Sequence, residues 1–280
     1  MKGSLFLCLV LVFISCLKKD VVSQKYLNFD KNYVVTSSQD HVLRLNGGTE
    51  AQLTLDQAGG GAFQSLLKYG SGYFEMQIKL PSNHSPGVVT TFYVRSHFLT
   101  CDNVHDEIDF EFLGTDGPSY ILQTNVFADD VGGREERLHL WFDPTLAFHD
   151  YGILWNSHQI VFFVDQVPIR VFKNLTSIGG RYPSQGMLVQ GSIWNGEGWA
   201  SNGRKVDWSQ APFQANYKSF GILGCQIGNQ CDSQTLPWNN QDKWELNPKQ
   251  QSDYENVKRK YVYDTYCLSP RGKNYRECHP

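Results

Sequence analysis

Surplus positive charge is missing. The 280 residues carry 25 Lys and Arg against 28 Asp and Glu, a formal net charge of −3, so no basic field is present to hold nucleic acid. Long apolar runs are also missing beyond the first 17 residues, which argues against a membrane bundle. No CxxC pair or His–Cys cluster occurs, which makes a structural metal site a weak reading. There is no internal repeat, low-complexity tract or long linker. Only 3 Met stand beside 25 Gly, a balance that fits strands and turns better than a helical bundle. What the chain does have is 17 Phe, 14 Tyr and 7 Trp, with 41% hydrophobic residues overall. That is too much apolar surface for a disordered chain, and enough for one large all-β core.

The run Leu5 to Leu17, preceded by Lys2 and followed by Lys18 and Lys19, reads as a secretory signal peptide ending near Ser23. Residues 1–23 are therefore expected to be removed, leaving a protein with no membrane anchor. Five cysteines follow, and two couples are close in sequence. Pairs Cys225–Cys231 and Cys267–Cys278 are expected, each ring stabilising by roughly 2–3 kcal/mol by loop entropy, with Cys101 left over. Asn83 and Asn174 open N-glycosylation triplets, which accord with secretion.

Alternation of apolar and polar residues marks a strand over Tyr73–Leu80, and β-formers fill Ser119–Phe127. Tyr151–Trp155 and Ile160–Asp165 read as a hairpin, followed by a turn at Gln166–Pro168 into Ile169–Phe172. Gly186–Trp194 and Tyr217–Ile227 are further strands. One helix is expected, from about Lys249 to Val262, with Pro248 at its start and Tyr254, Val257 and Tyr261 on one face. The pattern predicts an antiparallel sandwich over 24–220. Residues 221–280 read as an extension packed on the same domain.

The sharpest feature is His105-Asp-Glu-Ile-Asp-Phe-Glu-Phe-Leu-Gly114. On a strand, Ile108, Phe110 and Phe112 face one way and Glu107, Asp109 and Glu111 the other. Full charges about 6.6–7 Å apart repel by roughly 2.4 kcal/mol at an effective dielectric of 20. A fold gains no stability from such a row. Glycoside hydrolysis needs paired carboxylates, one attacking the anomeric carbon and one protonating the leaving oxygen; a third between them tunes their proton affinities. Two other readings stay open on pattern alone: an acidic solvated face, and a metal site drawing on His105 with the three carboxylates.

The decapeptide resembles the signature of plant xyloglucan endotransglucosylase/hydrolases, in glycoside hydrolase family sixteen. The likeness extends through Gln123-Thr-Asn-Val-Phe127, Leu140-Trp-Phe-Asp-Pro144, Phe148–Trp155, Ser192-Ile-Trp-Asn195 and Asp207-Trp208 to the cysteine-stapled tail. It implies a β-jelly roll with an open polysaccharide cleft. It also implies a retaining reaction on β-1,4-glucan, with a xyloglucan donor and a xyloglucan or oligosaccharide acceptor, in a monomer of the cell wall that uses no cofactor and no metal. By position it makes Glu107 the nucleophile, Asp109 the assisting carboxylate and Glu111 the acid/base. Gln123, Thr124, Asn125, Arg134, Glu135, Trp194, Gly198, Trp199, Gly203 and Arg271 become sugar contacts.

Three departures stand out. Gly114-Thr-Asp-Gly117 lacks the family's sequon, Ser96–Val104 is longer than usual, and the loop Ser201–Val206 is shorter. The short loop favours a transferase over a hydrolase. The departures as a set keep cellulose or mixed-linkage glucan in view as alternative substrates. A non-catalytic glucan-binding module would gain nothing from the three carboxylates.

Overall fold

A computed structural model describes residues 27–82, 84–96, 104–117 and 119–279. The expected signal segment, Asn83 and Cys101 lie outside the described residues. No described helix is long and apolar enough to cross a membrane.

A short helix α1 (Phe29–Asn32) leads into β1 (Tyr33–Val35), β2 (Val42–Leu45), β3 (Glu50–Asp56), β4 (Gly59–Gly60) and β5 (Ala62–Ser65). Then come β6 (Tyr69–Lys79), β7 (Val88–Ser96), β8 (Glu107–Leu113), β9 (Ile121–Phe127) and β10 (Glu136–His139). The hairpins β11 (His149–Trp155), β12 (Gln159–Val164) and β13 (Val167–Lys173) follow, with β14 (Met187–Asn195), β15 (Phe213–Lys218) and β16 (Leu223–Gln226). Helix α2 (Pro248–Lys260) and β17 (Val262–Thr265) are the last α-helix and strand among the described residues, and short 3-10 turns follow to Cys278.

Every ladder is antiparallel. One layer runs β17–β10–β9–β8–β7–β14–β5–β1. The other runs β13–β12–β11–β6–β15–β3–β2. The core lies between them. Phe110 of β8 meets Phe162 of β12 edge-on at 5.1 Å, and Phe112 meets Tyr151 of β11 at 4.6 Å. All four side chains are fully buried. The inward half of the signature thus supplies the core, as its alternation requires.

The all-β expectation holds, with differences in detail. The turn after β12 is two residues, Asp165 and Gln166, both left-handed (φ 48° and 65°), the geometry that matches strand twist in a tight hairpin. Pro168 therefore lies inside β13, not in the turn. The single strand expected over Tyr217–Ile227 is two, because Ser219 turns the chain with φ 69°. Helix α2 starts at Pro248 and ends at Lys260. Asn247 accepts from the Gln250 amide at 2.9 Å, and the Gln250 side chain accepts from the Asn247 amide at 3.1 Å, a reciprocal cap. Val257 is its buried residue. The residues after Gly221 add β16 to β6 in one layer and β17 to β10 in the other. Disulfides join Cys225 to Cys231 and Cys267 to Cys278.

Candidate active site

Register builds the site. Glu107, Asp109 and Glu111 of β8 stand opposite Arg95, Tyr93 and Thr91 of β7 on one side. On the other side they stand opposite Phe127, Asn125 and Gln123 of β9. Beyond β7, Gln190 and Ser192 of β14 face Tyr93 and Thr91. Side chains at directly opposed positions share a face, so nine or more polar and aromatic groups converge. All of them but Gln190, which accepts from the Tyr93 hydroxyl at 3.0 Å, line a cavity of about 430 Å3 together with Glu135, Trp194 and Trp199. Close strand packing beneath it is helped by Gly191, where a Cβ would come within 2.5 Å of the Phe63 ring.

The three carboxylates are not equivalent. Burial, then the charges of Glu107 and Glu111, push the Asp109 carboxyl well above its usual range; a hydrogen bond to Glu107 adds to this and Arg95 opposes it. Burial also raises Glu111, to about 7, with Glu107 and Glu135 pushing the same way. The Gln123 amide, which donates to Glu111 Oε2 at 2.6 Å, and Arg137 pull it down. Glu107 Oε2 receives His105 Nε2–H at 2.5 Å and lies 3.3 Å from Arg95 Nε. A carboxylate oxygen only accepts, so the His105 proton sits on Nε2, and the Nδ1 edge lies 3.8 Å from Asp130. The Phe127 ring packs on the imidazole at 4.8 Å. One face of β8 therefore holds two carboxylic acids inclined to stay protonated beside a carboxylate gripped by cationic and imidazole donors. That is the division of labour an acid/base and a nucleophile require.

The tryptophans mark one end. Trp194 is opposite Val89, and Val89 is opposite Leu113, so the indole lies past Glu111 and away from Arg95 and His105. Trp194 and Trp199 are exposed at 37% and 40%, with ring centres 6.1 Å apart. Aromatic faces open to solvent at a cleft suit sugar rings. The following loop is tied down. Ser201 Oγ accepts from the Gly87 amide at 2.6 Å, Glu197 Oε2 accepts from the Val206 amide at 3.1 Å, and Arg204 pairs with Asp116.

Some residues expected at the cleft are elsewhere. Thr124 has the opposite parity from Gln123 and Asn125. It is fully buried, and its Oγ1 accepts from Arg170 at 2.9 Å. Arg134 is also buried. Its Nε donates to Glu277 at 2.5 Å, its Nη1 to the Val126 and Val131 carbonyls, and its guanidinium lies over the Tyr275 ring at 4.8 Å. Neither side chain is placed to touch a sugar. Gln123, Asn125, Glu135, Trp194 and Trp199 do line the cavity. Asn125 Oδ1 is shared with the Val126 and Arg134 amides. Arg271 reaches the cleft wall through Glu135, at 3.3 Å. Gly198 and Gly203 are exposed in the turn after Trp194, outside the main cavity. Asn174 follows β13 and lines a separate cavity with His158 and Trp244. The residues that sequence reasoning missed are Thr91, Tyr93 and Arg95 on β7, Gln190 and Ser192 on β14, and Arg137 on β10.

Comparison with known proteins places this geometry. The model for glycosyl hydrolases family 16 matches residues 29–210. The chain is 49% identical over 250 residues to xyloglucan endotransglucosylase/hydrolase protein 2 of Arabidopsis thaliana, covering 86% of this chain and 84% of that one. It is 43% identical over 290 residues to xyloglucan endotransglucosylase/hydrolase protein A of Phaseolus angularis, covering 100% and 97%. Among solved structures, a Bacillus licheniformis β-glucanase superposes with a TM-score of 0.59 at 22% identity, over 72% of this chain and 96% of that one; it shares the fold.

Proposed function

Since the chain belongs to family 16 of the glycosyl hydrolases, as a retaining glycosidase or transglycosylase, we propose that it is a xyloglucan endotransglucosylase. The observation that carries the residue assignment is the outward row of β8, with Glu107 held by donors and Asp109 and Glu111 inclined to keep their protons.

Glu107 attacks the anomeric carbon of a backbone glucose. Glu111 gives its proton to the departing 4-oxygen, and a glycosyl-enzyme ester results. Protonated Asp109 donates to Glu107 and spreads the charge of the row. The leaving chain lies on the side of its proton donor, which is the end bearing Trp194 and Trp199. An incoming glucan stacks there in turn, loses its 4-hydroxyl proton to Glu111 and takes the glycosyl group. Water at the same place gives hydrolysis. Acceptor binding sets the ratio, with about 1.4 kcal/mol shifting it tenfold. The short, pinned loop after Trp199 leaves that end open to a chain and favours transfer.

Secretion to the cell wall completes the proposal. It is supported by the two disulfides, which persist in oxidising compartments, and by the N-terminal apolar run. The test uses xyloglucan polymer and a labelled xyloglucan oligosaccharide. Label should enter polymer, and Glu107→Ala should abolish it, by at least 10³-fold for loss of a nucleophile. Shrinking polymer without labelled product would make the protein a hydrolase, and label appearing only with cellulose or mixed-linkage glucan would move the substrate. Full transfer by Glu107→Ala would refute the site.

A further inference from the structure

The reaction just described leaves Arg95 unused. It stands directly opposite Glu107 across the β7–β8 ladder, with Nε 3.3 Å from Oε2. Oε2 is also the oxygen that takes the His105 proton at 2.5 Å. The pair is only partly in solvent, with side-chain exposures of 33% for Arg95 and 15% for Glu107, so its attraction is less screened than that of a surface pair. Arg95 lies at the Glu107 end of the cleft and the tryptophans lie past Glu111. The guanidinium is thus placed to act on the nucleophile and not on the proton donor.

A cation fixed beside a nucleophilic carboxylate acts oppositely on the two halves of a double displacement. In the first half a lone pair of Glu107 forms the bond to the anomeric carbon. The carbon–oxygen bond to the leaving chain breaks with its electron pair, and Glu111 protonates that oxygen. Carboxylate charge disappears, so a neighbouring cation resists this half. In the second half the acceptor hydroxyl gives its proton to Glu111 and its oxygen bonds to the anomeric carbon. The ester bond breaks and its electron pair returns to Glu107. Charge reappears beside Arg95, so the cation assists.

We propose that Arg95 is a positioning residue that makes Glu107 a good leaving group, speeding release of the glycosyl group and keeping the covalent ester from accumulating. The proposal rests on Glu107 being the nucleophile. His105, which donates to the same oxygen, orients the carboxylate in either half; the fixed charge of Arg95 sets the balance between them.

The experiment quenches the enzyme with acid during turnover of a xyloglucan oligosaccharide donor. Intact-protein mass spectrometry then reads the fraction esterified, and peptide mapping reads the site. In Arg95→Leu the esterified fraction should rise about tenfold, to the limit of saturation. kcat should fall by about tenfold and KM by more, so that kcat/KM rises by a few-fold as the first half is freed of the opposing cation. Arg95→Gln, neutral but still hydrogen-bonding, should behave like Arg95→Leu, and it carries the same test should the leucine variant not fold. Arg95→Lys should return most of kcat. Ester on Glu107 at unchanged occupancy, with kcat/KM reduced, would overturn the proposal and leave the nucleophile standing. So would Arg95→Lys matching Arg95→Leu. Ester mapped in the wild type to another carboxylate would overturn the nucleophile assignment and this proposal with it.

Discussion

Gln123 works against the burial of Glu111. Its donated hydrogen bond favours the carboxylate, whereas burial and the charges of Glu107 and Glu135 favour the acid, and the outcome is a pKa of about 7. The alkaline limb of kcat/KM should therefore fall near pH 7, the range in which an acid catalyst is lost. Removing the donor with Gln123→Leu takes away roughly 1 kcal/mol of carboxylate stabilisation. It should move that limb upward by about 0.7 pH unit, read from the pH–rate profile. The same proton is linked to stability. The folded pKa lies above the unfolded value of about 4.3, so the native state binds more protons across that window. The stabilising contribution is full below pH ~4 and is lost as pH rises through 7. Glu111→Gln should accordingly raise Tm more at pH 8 than at pH 4, measured by thermal melts. At this scale the sequence was readable where parity spoke. Period two separated Glu107, Asp109 and Glu111 from Ile108, Phe110 and Phe112. In the structure Thr124 faces inward, opposite in sense to Gln123, where the family likeness had made it a sugar contact.

Strands carried different amounts of information. β8 and β6 alternate, and their alternation matches what they bury. β7 does not. Val88-Val-Thr-Thr-Phe-Tyr-Val-Arg-Ser96 is covered on both faces, by the core and by the cleft, so no polar face betrays it, and Arg95 stayed invisible with it. β14 was legible as a strand, but its partner strands were not, since β5 and β7 lie about a hundred residues before it. Its exposed end has a direct consequence. Trp194 presents a ring to the cleft beyond Glu111, and stacking of this kind is worth about 0.5–1.5 kcal/mol. Trp194→Ala should lower the transfer-to-hydrolysis ratio by about threefold to tenfold at a fixed oligosaccharide concentration. Scoring labelled polymer against new reducing ends in one reaction checks this. An unchanged ratio would remove Trp194 from the acceptor side.

Over the whole molecule, the tail braces the sandwich behind the site without lining the cavity itself. Arg170 and Arg134 are buried between the second layer and the extension. Arg170 donates to the Thr124 and Arg134 carbonyls, and Arg134 pairs with Glu277, whose side chain is 9% exposed. Breaking such a buried pair leaves a charge without compensation and costs about 3–5 kcal/mol. Arg134→Leu should lower Tm strongly while leaving KM for xyloglucan unchanged below the melt. A large rise in KM with unchanged Tm would return Arg134 to the list of sugar contacts. Fold class was legible from strand patterning and the helix from its proline start. The tail's attachment was not, because Arg134 and Glu277 are 143 positions apart and nothing local to either announces the other.

That separation has a meaning in time. At about 5–20 residues per second, the ribosome adds Glu277 on the order of ten seconds after Arg134. Through that interval the nascent sheet holds a guanidinium destined for burial whose counter-charge has not yet been made. Glu135, beside it on the cleft wall, likewise waits for Arg271. The carboxylate row is synthesised early, yet the wall that flanks it is finished late. A growing chain therefore carries its reactive residues long before the wall beside them is braced.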